Sequence, residues 1–184
     1  MAVLGIWLGA TIFADLAVTR NFRTVDRFLA APGSGTTANE IEKIGADRLR
    51  PILRRNAGEE NNAIFEDWET AELAIAAVLI GLLFAGGKPT PQLLSLVGLM
   101  FAIVAIQRFY LSPQVTDLGR QIADLSPKDP LNTRFWTFHG IYSGTEIAKL
   151  LLGIAAAVHL ALRRKKEAEL APAKEAPLVV NMNG

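Results

Sequence analysis

One segment holds most of the side chains that could do chemistry. Between positions 135 and 162, His139, Tyr142, Glu146, Lys149 and Gly153 recur at steps of three and four residues. At about 100° per residue they fall within an arc of roughly 80° on one helix face. Glu146 and Lys149 stand three apart and can meet as an ion pair. A charge at the bilayer centre costs about 2.5–3.5 kcal/mol on insertion scales, so this stripe is expected to face protein or water and not lipid. Two readings follow: a structural ion pair that fixes packing, or part of a proton or ion relay. His139 adds an imidazole that could ligate a haem iron or a chlorophyll magnesium, or could simply be hydrogen-bonded between helices. Its neighbour Gly140 leaves room for a flat ring or another helix, and Trp136 and Tyr142 also suit an interfacial aromatic belt.

Other carboxylates could meet that stripe. Glu69 and Glu72 share a helix face with Phe65 and Ala76, and Thr11, Asp15 and Thr19 share another at spacing four. Glu69, with Asp67, falls in the first turn of its apolar stretch, where acids complement the helix dipole and reach lipid headgroups. Asp15 is expected to form a salt bridge with Arg20 or Arg108. His159 points away from the stripe, near Arg163, and reads as an interface residue, while Gly98 and Ala102 make a small-xxx-small step for close helix packing. Catalysis has no motif: H-E-x-x-H, G-x-S-x-G and E-x-x-H are absent from the sequence, and Gly33-Ser34-Gly35 lacks the Lys-Ser/Thr of a phosphate loop. The chain also has no cysteine, which removes disulfides, thiolate chemistry and cysteine-bound metals. Neither an enzyme nor a resident cofactor is expected, beyond the haem or chlorophyll alternative at His139.

The elements that must position these residues are apolar. Of 184 residues, 51% are hydrophobic and 20% charged, and the mean hydropathy of +0.27 is too high for an ordinary water-soluble domain. The apolar residues gather at about 2–19, 65–85, 91–111 and 135–162, each close to the roughly 20 residues that cross a bilayer. The fold class is therefore all-α: a polytopic membrane protein with a four-helix transmembrane domain over 1–162, short amphipathic surface helices, and a flexible charged tail over 163–184. The 19 basic and 18 acidic residues nearly cancel, so no basic field exists to hold nucleic acid. Lipids are the expected surroundings.

Two connections, 20–64 and 112–134, carry most of the charge. In the first, Pro32 to Gly35 reads as a turn and Thr37 with Glu40 as a capping box. Ile41, Ile44, Leu49, Ile52 and Leu53 then form an apolar face suited to the membrane surface, bent at Pro51 and stopped near Gly58. In the second, Val115, Leu118, Ile122 and Leu125 recur opposite Asp117, Arg120 and Asp124, up to Ser126-Pro127. Arg20, Arg23, Arg27, Lys43, Arg48, Arg50, Arg54 and Arg55 in the first, with Arg120, Lys128 and Arg134 in the second, place both on the cytoplasmic side of a bacterial cytoplasmic membrane. Both termini and the tight turn 86–90, which carries Lys88, are then outside, against the pull of Arg163 to Lys166. Basic residues follow the first apolar run and do not precede it, so that run is expected to stay as an uncleaved anchor.

Arg108 with Pro113, then Asp129-Pro130, Phe135 and Phe138-His139-Gly140, resemble the pattern of the transmembrane protein 205-like family, a four-helix integral membrane domain of unknown function. The likeness spans most of residues 1–162 and implies a four-helix bundle with no assigned activity. This chain departs from the pattern at Glu146, where the family often has a neutral amide, and in its longer first connection.

Three functional readings are open. The first is a non-catalytic accessory or linker subunit of a larger membrane complex, respiratory or photosynthetic, docking other integral membrane subunits through Ile44, Leu49 and Ile52. The second is a small oligomeric channel or transporter that uses Glu146 and Lys149 in its pathway, with Asp15, Glu69, Glu72, Arg108 and Tyr142 as further polar candidates. The third is a pigment or haem binder through His139. The charge asymmetry makes its own prediction: reporters fused at Ser34 or Gln121 read out as cytoplasmic, and at Thr90 or Gly184 as external.

Overall fold

The computed structural model describes residues 2–86, 89–122, 126 and 128–170. Lys88 of the expected outer turn, Asp124, Leu125 and Pro127, and the tail from 171 onward lie outside them. All the described elements are helical: α1 (Ala2–Ala30), α2 (Thr36–Ile44), α3 (Ala46–Ala85), α4 (Pro91–Ile106), a π-helical turn (Gln107–Leu111), α5 (Ser112–Ile122) and α6 (Pro130–Leu170). Four helical stretches are long and apolar enough to cross a membrane: α1, α3, the continuous run Pro91–Ile122, and α6. They form a ring in which α1 packs on α3, α3 on α4 and α4 on α6, while α6 closes only sparingly on α1.

The helices outrun the apolar stretches. At 1.5 Å per residue the 40 residues of α3 reach about 60 Å, twice the hydrocarbon thickness. The first connection is thus not a separate surface helix between two spans; it is mostly the prolonged ends of α1 and α3. Pro51 does not bend the chain out of helix, because in the second turn of α3 it forfeits a single bond to the carbonyl of Asp47. Gly58 does not stop it either. Its propensity cost of about 1 kcal/mol is outweighed by the burial of Ala57 and Asn61 on either side. Asn61 donates to the Val18 carbonyl at 3.1 Å and accepts from Asn21 at 2.6 Å. Arg54 meets Asp26 at 2.8 Å. These bonds hold the protruding ends together.

Three smaller expectations are corrected. The N-cap of α2 is Gly35, at φ 98°, with no side-chain bond, so Thr37 caps nothing and Glu40 pairs with Lys43 at 2.8 Å. α5 is not an independent surface helix: it continues the third span through the π turn, buries Leu118, and fixes Arg120 on Glu59 with three contacts of 2.7–3.2 Å. Those hydrogen bonds hold the Glu59 carboxyl below its ordinary pKa. The segment 163–170 is helix and not tail, supported by Arg163–Glu167 and Lys165–Glu169 at i, i+4. At its other end α6 begins on Asp129, whose carboxylate accepts from the Leu131 amide at 2.9 Å, with Pro130 in the first helical position.

The ring is sealed at one end only. At the end where α1 starts and α6 finishes, Leu4, Trp7, Ala76, Leu79, Leu93, Val97, Met100, Val104 and Ala156 make an apolar core. Gly153 is where α6 approaches α1 and α4: a Cβ there would collide with a Leu8 methyl and lie 3.2 Å from the Met100 methyl. Gly98 makes no such approach, and Ala102 is exposed, so the small-xxx-small step is not a packing seam. Gly140 faces outward with open space around it. Gly153→Val should therefore lower unfolding stability in detergent by about 1–3 kcal/mol through overpacking. Gly140→Ala should be neutral or stabilising by a few tenths, both read from denaturant titrations.

Candidate functional site

Below that apolar seal the four helices turn polar side chains inward and join them in one network. The face read on α6 is the buried one: Tyr142, Glu146, Lys149, Gly153 and Ala156 are its buried residues. Lys149 is 1% exposed. Its ammonium donates to Glu72 at 2.7 Å, to Glu146 at 2.8 Å and to Gln107 at 3.4 Å. The expected Glu146–Lys149 pair thus exists, but Lys149 shares its charge with a second carboxylate from another helix. That second carboxylate is fully satisfied: the other oxygen of Glu72 accepts from the Trp7 indole at 2.7 Å and from Thr11 at 3.1 Å.

Glu69 lies one turn from Glu72 on the same face of α3. Both are 0% exposed, which corrects the expected place of Glu69 in the first turn of a helix: α3 starts more than twenty residues earlier, so Glu69 is mid-helix and meets no headgroup. One Glu69 oxygen accepts from the Tyr142 hydroxyl at 2.8 Å and from the Ser112 hydroxyl. Its second oxygen and the second oxygen of Glu146 are buried with no hydrogen-bond partner among the described residues. Gln107 bridges onward, donating to Thr145 at 2.9 Å, which in turn donates to the Tyr142 carbonyl at 2.7 Å.

The π turn makes this possible. Pro113 has no N–H for the carbonyl of Phe109 and its ring crowds that turn, and the chain just ahead widens to i→i+5 bonding. One extra residue per turn lets Gln107, Leu111 and Ser112 all face inward, and all are buried. Sequence reasoning missed Trp7, Gln107 and Ser112. The spacing of Trp7 to Thr11 and the polar Gln107 inside an apolar run were the available signals.

Two adjoining cavities reach this network from the end bearing the connections. One, of about 650 Å³, is lined by Phe65, Phe135, Arg55 and Glu59 and extends to Ser112 and Tyr142, the two donors to Glu69. The other, of about 590 Å³, follows the loose seam between α1 and α6 from Arg23, Asp26 and Arg54 down to Ser143 and Glu146. Asp15 lines this second cavity, half-buried, and among the described residues it forms no ion pair. The expected bridge to Arg20 or Arg108 fails because Arg20 is exposed and Arg108 donates instead to Thr70 at 3.3 Å.

His139 stands in the wall of both cavities. Phe135 stacks on its ring at 5.7 Å and Trp136 meets it edge-on. His159 lies within 3.0 Å of Thr90, the N-cap of α4, and so latches the sealed end of α6 to that helix. Ile44 and Ile52 are exposed on the protruding ends, while Leu49 is half-buried.

The architecture defines a class: an all-α integral membrane protein, a four-helix bundle with a charged core. Comparison with protein-family models, with curated proteins and with solved structures finds no match for the chain.

The network predicts an ordering of variants. Lys149→Met removes the one counter-charge that Glu72 and Glu146 share and should cost the most, up to about 3–5 kcal/mol. Glu72→Gln leaves Lys149 with Glu146 as its remaining carboxyl partner and should cost less. Glu146→Gln keeps Lys149 paired with Glu72 and should cost clearly less. Denaturant unfolding of purified protein in detergent checks the order.

Proposed function

We propose that the protein is a small non-catalytic membrane transport protein, open to one side, whose solute or ion reaches Glu146 from the cytoplasmic side, with Lys149 and Glu72 buried directly behind it. The observation that carries this reading is the asymmetry of the bundle: an apolar seal at the end of the termini and cavities at the end of the connections, meeting at a buried ion cluster. Intramembrane charges facing a cavity are what a solute or proton pathway requires, whereas a purely structural pair needs no access route. The basic residues of the connections favour the cytoplasm as the open side, with both termini outside.

A second reading, an accessory subunit docked to other integral membrane proteins, draws on the exposed Ile44 and Ile52. Under it the charged core is a packing device. The likeness to the transmembrane protein 205-like family is compatible with either reading.

The native absence of cysteine gives a clean test. Single variants Ser143→Cys, in the cavity wall, and Ile154→Cys, exposed on the outer surface of α6, are treated in sealed vesicles of known orientation with a membrane-impermeant thiol reagent. The Ser143→Cys protein should label only from the cytoplasmic side and the Ile154→Cys protein from neither. Failure of the Ser143→Cys protein to label from either side would mean that the crevice is lipid-filled, and the accessory reading would gain.

A further inference from the structure

The core contains more acid than base. Its elements contribute these charged and titratable groups: Asp15 from α1, Glu69 and Glu72 from α3, Arg108 from the π turn, and His139, Tyr142, Glu146 and Lys149 from α6. Among the described residues Lys149 is the one cation that touches the buried carboxyls, Arg108 being engaged with Thr70. Glu72 has donors on both oxygens, one of them the ammonium, which is the environment of an ionised carboxylate. Lys149 then has no further charge to give. Glu146 receives a second N–H from it, and Glu69 receives two neutral hydroxyls, both on a single oxygen. The remaining oxygen of each is buried and, among the described residues, unpartnered.

An uncompensated carboxylate in such a site is far costlier than a carboxylic acid. The geometry suits the acid. In Glu69 one oxygen is a carbonyl-type acceptor saturated by Tyr142 and Ser112, which leaves the other as the O–H. A metal ion is the poorer counter-charge, since among the described residues no three His, Asp or Glu side chains converge closely enough to hold one.

We infer that the polar core is a proton-binding site in which Glu69 and Glu146 are both carboxylic acids and Glu72 alone is the carboxylate that neutralises Lys149. Glu146 lines the crevice between α1 and α6 and is the exchangeable member. Water in that crevice exchanges the proton of the Glu146 carboxyl, forming and breaking one O–H bond with no redox partner. Glu69, set deeper behind Tyr142 and Ser112, is the slower one. The inference deepens the transport reading by naming the ion, and rests on it only for the route by which Glu146 exchanges.

Infrared spectroscopy of the full chain in detergent at neutral pH tests it. A protonated-carboxyl C=O band should be present and should shift in heavy water, with the Glu146 part shifting first. Glu69→Gln and Glu146→Gln, which replace an acid by a neutral amide of like shape, should fold and should each remove about half of the band. Lys149→Met, where it folds, should enlarge the band, because Glu72 then takes a proton. Absence of the band in folded wild-type protein overturns the inference, as does a band indifferent to both Gln variants. Stabilisation by sodium or potassium without such a band would assign the site to a metal cation and also overturn it. Each of these failures leaves the Ser143→Cys labelling pattern untouched, whereas a failed labelling pattern leaves the band in place.

Discussion

The contact between Lys149 and Glu72 is the constraint around which the bundle is arranged. A single ammonium is carried to the middle of a four-helix core, where neither lipid nor bulk water can solvate it. Everything near it meets that demand. α3 supplies the counter-charge, α1 supplies the Trp7 and Thr11 donors that saturate that counter-charge, and the third span distorts to bring Gln107 within reach. Helices in lipid gain little from burying apolar surface against one another, so such polar ties between helices add specificity where packing alone is indifferent. Here the ties join α6 to α3, α3 to α1, and the π turn to α6, which fixes the ring order.

The same ties explain why the ring is asymmetric. On the sealed side Gly153 lets α1 and α6 touch, and the side chains are apolar and interlocked. On the other side Tyr142 and Phe65 meet edge to face at 5.4 Å but α1 leans toward α3, where Asn21 and Asp26 find their partners Asn61 and Arg54. α1 thus packs on α3 along its length and on α6 only at one end. The crevice is the geometric remainder of that preference.

Much of this was legible in the sequence, and the reasons for the misses are physical. The four spans and the all-α class follow from hydropathy, which reports on the solvent of each segment. The inward face of α6 follows from helical periodicity, because charges cannot face lipid. Periodicity could not say which helix would answer that face. Glu69 was misplaced because hydropathy marks where the membrane starts and not where the helix starts, and α3 begins well before its apolar stretch. Asp15 was assigned a salt bridge that does not form, since proximity along the chain says nothing about a cavity wall. The π turn had a local cause in Pro113, yet its effect on Gln107 and Ser112 depends on a register shift that no residue count along a regular helix contains. The His159–Thr90 latch joins segments far apart in sequence and had no signal in either.

The length of α3 has a mechanical consequence. Arg54, outside the apolar stretch, and Glu72, at its centre, are eighteen positions apart on one unbroken helix, about 27 Å along the axis. Such a continuous helix ties the protruding arm to the buried carboxylates, so a tilt of the arm is felt at their depth. The third span is built differently, with a wide turn at the same depth that can lengthen or tighten by one hydrogen bond. Rigid arm and compliant joint therefore meet across a single ammonium.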